Sequence, residues 1–167
     1  EGVAMQRTPL IENGILVGRL HSRESAGKMG EKPTGSARAL NYNFPPICRM
    51  RATYIEQGQT AFEDMIKGIP LGIYAVGAYG GETNGEMFTF TAAEAYMIRD
   101  GKIAELVRDV TLTGNLMTTL NNIEMIGNDK ELPDSAGGCG KGAQAPLPTC
   151  EGSPHIRIKN VTIGGVK

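Results

Sequence analysis

The chain has no excess of either charge: 17 Lys and Arg stand against 18 Asp and Glu, for a formal net charge of -1 over 167 residues. Its cations are scattered rather than blocked. Nucleic-acid-binding domains usually show a basic excess, so no nucleic-acid partner is expected. No apolar run approaches the ~18 residues that cross a bilayer, and no signal peptide is visible, so no membrane partner is expected either. Cysteine is scarce. Cys48, Cys139 and Cys150 make an odd count without paired-motif spacing. That argues against a disulfide scaffold and for a reducing, cytoplasmic setting. Neither His21 nor His155 lies in an H-E-x-x-H or C-x-x-C pattern. Regular alternation of strands and helices is missing, which disfavours a parallel α/β fold. There is no internal repeat and no low-complexity tract.

What is present is turn chemistry. The 23 glycines and 9 prolines suit hairpins better than long helices. Asn13-Gly14 separates Pro9–Glu12 from Ile15–Val17, and Asn-Gly supplies the two positive-φ residues of a type I′ hairpin turn. A longer hairpin runs from Met87 to Ile98, turns at Asp100-Gly101 and returns from Lys102 to Thr113, with arms rich in Phe, Tyr, Val, Ile and Thr. Arg49–Glu56 and Leu71–Tyr79 read as further strands. His155–Ile163 alternates apolar and polar residues, the period of a half-buried strand.

Helices are few. A turn or two follows Ser22, and Thr60 with Glu63 forms a capping-box pattern before Phe62, Met65 and Ile66. Asn115 is placed to cap a helix whose Leu116, Leu120 and Ile123 share a face and which closes at Gly127. Residues 30–46 and 128–154 read as long loops, and long loops in compact domains are usually functional or disordered. The expected fold is mainly β (α+β): a curved antiparallel sheet with long hairpins and one or two packed helices. The length suits one domain over residues 1–167.

Chemistry concentrates in Gly137-Gly138-Cys139-Gly140-Lys141-Gly142-Ala143-Gln144. A thiol in a glycine-rich polar segment beside a lysine is poorly placed for the core and well placed as a ligand or nucleophile, because the thiolate is the reactive form. An idle or buried thiol is the commoner fate of a lone cysteine. Cys48, in an apolar β-branched run, reads as a small core residue, and Cys150 as part of a turn. His155, at the start of the last strand, reads first as a strand-edge or surface residue and only second as a metal partner, and His21, after the first hairpin, is a still weaker metal candidate. Glu63 and Asp64 are explained by the first helical turn, where anions favour the dipole. Gly80-Gly81-Glu82-Thr83-Asn84-Gly85 lacks a P-loop lysine and a following helix, so a hairpin connection is expected there rather than a phosphate cradle.

Several segments, in order, resemble the C-terminal domain of the TldD/PmbA family, metallopeptidase-like proteins once called modulators of DNA gyrase. The segment Pro9 to Arg19, with its Thr-Pro-Leu-Ile-Glu-Asn-Gly hairpin, resembles the segment after that family's acidic D-D-E-G element. Arg49-Met50-Arg51-Ala52-Thr53-Tyr54 resembles its R-M-x-N-T-Y strand, with Ala52 in place of Asn. Gly80–Asn84 and Glu94–Lys102 resemble its G-G-x-x-[ND] turn and E-x-Y-x-I-x-[ND]-G-K hairpin. Asp109–Asn115 and the stretch from Cys139-Gly140-Lys141 to Gly164-Gly165 complete the likeness, with Ala143 in place of a common Gly.

The resemblance implies a zinc-dependent peptidase that cleaves unfolded or precursor peptides, of which this chain is a C-terminal fragment. It implies that an H-E-x-x-x-H helix in a preceding domain gives two histidine ligands and a general-base glutamate, and that Cys139 is the third zinc ligand. Two His and one thiolate leave a fourth zinc position open, as in other catalytic sites. The fragment alone is then expected to be inactive. The resemblance also implies a homodimer or a heterodimer with a relative of the same family. The alternative is a non-catalytic, β-rich peptide-binding or structural subunit. Glycines permit close backbone approach, and peptidases of unfolded chains often take them as an added strand. Gly77–Asn84 is therefore a candidate edge, and Gly80, Gly81 and Asn84 within it, together with Lys141, are candidate substrate contacts.

Overall fold

The computed structural model describes residues 1–133 and 137–164. In chain order the elements are β1 (Ile11–Glu12), β2 (Ile15–Leu16), α1 (Arg23–Met29), β3 (Ala37–Arg38), β4 (Ile47–Cys48), β5 (Ala52–Tyr54), α2 (Phe62–Ile66) and β6 (Leu71–Asn84). They continue as β7 (Met87–Arg99), β8 (Lys102–Val107), β9 (Thr111–Asn115), α3 (Leu116–Asn121), β10 (Ile123–Ile126), β11 (Gly137–Lys141), β12 (Gln144–Gly152), β13 (Ile156–Ile158) and β14 (Thr162–Gly164). The fold is mainly β, and among the described strands pairing is antiparallel except where β12 runs parallel to β5. The chain divides into two compact units: Glu1–Ile55 with Glu131–Ser153, and Glu56–Lys130 with Pro154–Lys167.

In the first unit, β1 and β2 form the expected tight hairpin, with Asn13 and Gly14 both at positive φ (51° and 77°). α1 is a seven-residue helix, about two turns, in line with the turn or two expected after Ser22. Ser22 starts it with a reciprocal capping box: its hydroxyl accepts from the Ser25 N–H at 3.1 Å and its own N–H donates to the Ser25 hydroxyl at 3.0 Å. The interior of this unit is notably polar. His21, Ser22, Thr34, Ser36, Arg49, Gln144 and Thr149 are buried, beside Ala26 and Leu147. Burial of such groups is tolerable only when they are hydrogen-bonded. The His21 N–H donates to Thr34 Oγ1 at 2.7 Å, and that hydroxyl lies 3.0 Å from Ser36 Oγ.

In the second unit, β14, β9, β7 and β6 lie side by side, and β8 also pairs with β7. Strand β7 is the spine: residues 87–91 face β9, residues 95–99 face β8, and β6 runs along its other side. The returning arm of the long hairpin is thus two strands, not one. Asp109 takes a positive φ of 58°, and Val110 turns inward to join Ala92 and Ala95 in the core, packed by Ile73, Ala75, Val107 and Leu112. The hairpin turn itself is as expected, with Asp100 and Gly101 both at positive φ.

Three local expectations are corrected here. The Gly80–Asn84 segment is the far end of β6, and the turn falls at Gly85-Glu86. Thr60 does not cap α2: it forms a parallel bridge with Gly127, and Ala61 sits at the cap position without a side-chain bond. Asn115 does cap α3, accepting from Thr118 N–H at 3.0 Å, but the helix stops at Asn121 because Ile123–Ile126 pairs with β13. Of the C-terminal glycine pair, Gly165 lies outside the described residues.

Candidate functional site

Residues 128–154, expected as loop, hold a β-hairpin (residues 134–136 among them lie outside the described part). Strands β11 and β12 pair in the register Gly138↔Pro148, Cys139↔Leu147 and Lys141↔Gln144, with a bulge between Cys139 and Lys141. A bulge re-aims the side chains beside it. The hairpin is fixed from its inner side. Leu147 is buried, and the buried Gln144 amide accepts from Leu40 N–H at 2.8 Å while donating to the Pro45 carbonyl at 3.0 Å. A side chain at Gly138 would strike Pro146, so the two strands approach closely just before the cysteine.

The three thiols differ in what they touch. Cys48 donates to the Leu20 carbonyl at 2.9 Å and Cys150 to the Pro133 carbonyl at 3.0 Å. Cys139 is half-exposed, and among the described residues its Sγ has only a long contact of 3.9 Å to the Gly140 carbonyl. None of the three is in a disulfide. Cys150 lies in β12 opposite Ala52, not in a turn. Around Cys139 the backbone is gripped twice: Arg49 Nη2 donates to the Cys139 carbonyl at 2.5 Å, and Lys141 Nζ donates to the Cys48 carbonyl at 2.9 Å. Of the residues singled out in the sequence, Cys139 and Lys141 therefore share one strand. Arg49 and Gln144 were missed, although a lone cation in the run Ile47-Cys48-Arg49-Met50 was a readable signal for a buried partner.

Both histidines are committed to neighbours. His21 is buried, with Nδ1 3.0 Å from Ser25 Oγ and Nε2 2.9 Å from Glu31 Oε2. That bond is the leading cause holding the Glu31 carboxyl below its ordinary range. His155 Nδ1 lies 2.6 Å from Asp129 Oδ2 and Nε2 lies 2.7 Å from the Tyr74 hydroxyl, while its ring packs against Phe62 at a tilt of 48°, 4.5 Å between centroids. Asp129 is likewise held below the usual carboxylate range, chiefly by the His155 hydrogen bond. Among the described residues, no three His, Cys, Asp or Glu side chains gather in a set that could hold a metal ion. The soft thiol of Cys139 fits one arm of a zinc site, and the chain as described does not fit a whole one.

Residues 1–165 match the family model of the PmbA/TldA metallopeptidase C-terminal domain. The chain belongs to this family. It is 57% identical over 165 residues to a metalloprotease of Synechocystis sp., covering 99% of this chain and 35% of that protein. It is 37% identical over 166 residues to a zinc metalloprotease TldD homolog of Saccharolobus solfataricus, covering 99% of this chain and 37% of that one. The crystal structure of TldE from Thermococcus kodakarensis has the same fold, with a TM-score of 0.79 at 24% identity over 98% of this chain and 35% of that chain. The chain thus spans about a third of the length of the curated relatives it matches.

Two features of this TldD/PmbA domain concern Gly80, Gly81, Asn84 and Lys141, the residues expected as substrate contacts. Among the described residues β6 pairs with β7 alone, so its other side is an unpaired edge, and Gly80, Gly81 and Asn84 lie exposed along it. Gly80 opens onto free space, whereas a Cβ at Gly81 would come within 2.5 Å of the Thr89 carbonyl oxygen on β7. Gly81 is therefore needed for the pairing of β6 with β7. Lys141 is exposed, but its ammonium is already engaged by Cys48. No helix among the described residues is long and apolar enough to cross a membrane.

Proposed function

We propose that this chain is the C-terminal domain of a cytoplasmic, zinc-dependent peptidase of unfolded or precursor peptides, to which it brings Cys139 as a thiolate ligand and part of the substrate cleft. The observation that carries the reading is the half-exposed, unbridged thiol of Cys139 on the bulge of a strand held from both sides. Catalytic zinc sites take three protein ligands and leave one position open. One thiolate comes from this chain, and the histidines of an H-E-x-x-x-H helix in the full-length protein supply the rest. Bound zinc would supply Lewis acidity at the scissile carbonyl. The residues of this chain do the holding: Gln144 and Leu147 seat the hairpin, and Lys141 ties its outer strand to Cys48. Separately, the open edge of β6 at Gly80, Gly81 and Asn84 offers backbone partners to an extended peptide. Assembly as a homodimer or with a family relative completes the proposal.

The test uses the full-length protein. Cys139→Ala is expected to weaken zinc binding by more than the roughly 10–100-fold that loss of a ligand's hydrogen-bond partner costs, and to abolish peptide cleavage. Zinc content and cleavage both unchanged in a folded Cys139→Ala protein would sink the reading and favour a non-catalytic peptide-binding subunit.

A further inference from the structure

Arg49 is buried, at 2% exposure, although it carries a guanidinium. It lies between β4 and β5, and its backbone N–H is anchored on the Ser36 carbonyl at 2.9 Å. Nη2 donates to the Cys139 carbonyl, while Nε and Nη1 are buried with no hydrogen-bond partner among the described residues. An apolar side chain of equal size would fill this space without desolvating a charge, and such replacements are often neutral or stabilising. A cation kept in so costly a place is therefore poorly explained by packing.

The one bond that Arg49 makes with its head group falls on the residue at the bulge. We propose that Arg49 is a positioning residue for the Cys139 thiol: its guanidinium grips the carbonyl of residue 139 from inside the unit, fixing the bulge and hence the direction of Sγ. The inference rests on the reading of Cys139 as a metal ligand. A guanidinium suits the task because its planar, rigid set of N–H groups holds one orientation, whereas an ammonium on a flexible stem is a point charge. Lys141, tied to the Cys48 carbonyl on the other side of the bulge, leaves the strand little freedom to turn about Arg49.

The experiment is made on full-length protein loaded with Co(II) in place of zinc. It reads the thiolate-to-cobalt charge-transfer absorption per metal, with zinc affinity by chelator competition and folding by circular dichroism. Arg49→Met is expected to weaken zinc binding roughly 10–100-fold, the range for residues that orient a ligand, and to diminish the charge-transfer band while the fold persists. Arg49→Lys is expected to fall between Arg49→Met and the native protein. Either variant, folded and equal to the native protein in both band and affinity, overturns the proposal. Should Arg49→Met fail to fold, Arg49→Lys decides by the same criterion. Cys139→Ala serves as the reference: if it leaves the band intact, the ligand reading itself has failed, an outcome distinct from native-like Arg49 variants beside a Cys139→Ala protein that has lost the band.

Discussion

Removing the imidazole of His155 unmakes two hydrogen bonds, to Asp129 and Tyr74, and the tilted ring contact with Phe62. Aromatic ring contacts and hydrogen bonds each contribute on the order of 1 kcal/mol. His155→Ala is therefore expected to cost about 2–3 kcal/mol, read as a lower urea midpoint at unchanged slope. The pH dependence has a definite sign. Asp129 is held below its ordinary value in the folded state, mainly by His155. A carboxyl shifted down stabilises the fold above its unfolded pKa, and that contribution is lost as pH falls through the lower, folded value. The native protein should thus lose stability on acidification below the usual carboxylate range, with a smaller loss in His155→Ala. An equal acid dependence in both proteins would refute the pairing. Neither partner was legible beforehand, since Asp129 and His155 are 26 positions apart and join only when β10 and β13 pair. The partial exposure of Cys139 was legible in its glycine-rich neighbours, but Arg49, which grips its carbonyl from 90 positions away, was not.

At the scale of single elements, two contrasts discriminate. Ser22→Ala removes one arm of the α1 capping box and should cost about 1 kcal/mol, typical of a lost N-cap. Gly81→Val should destabilise by at least about 1–3 kcal/mol, the usual cost of forced overpacking, because its Cβ meets the backbone oxygen of Thr89. Gly80→Val, pointing into open space, should leave stability nearly unchanged and instead raise KM for extended peptides if the β6 edge receives them. An unaltered KM counts against that edge. The turns at Asn13-Gly14 and Asp100-Gly101 were readable because positive φ is a local demand met by local chemistry. Strand β12 was not readable: Pro146 and Pro148 argue against a strand by propensity. They are tolerated because residues 144–149 pair only with β11, and β5 joins only at Cys150, opposite Ala52 nearly a hundred positions earlier. A partner so distant leaves no periodic trace in the run itself.

At the scale of the molecule, the family model runs across both compact units, and the matched relatives are about three times as long as this chain. The proposed metal centre has one donor here and no set of three among the described residues. Metal affinity rises with each ligand a folded framework brings together, and a single thiolate without partners competes poorly with protons and water. The isolated 167-residue chain should accordingly fold, show β-rich circular dichroism, retain no stoichiometric zinc after gel filtration and cleave no peptide. The full-length protein should retain about one zinc per chain, as a single catalytic site requires. Stoichiometric zinc on the isolated chain that survives Cys139→Ala would place the metal elsewhere. Equal peptidase activity in the isolated chain and the full-length protein would show that the chemistry needs nothing beyond these residues, and a divided metal centre could not then be the source of cleavage.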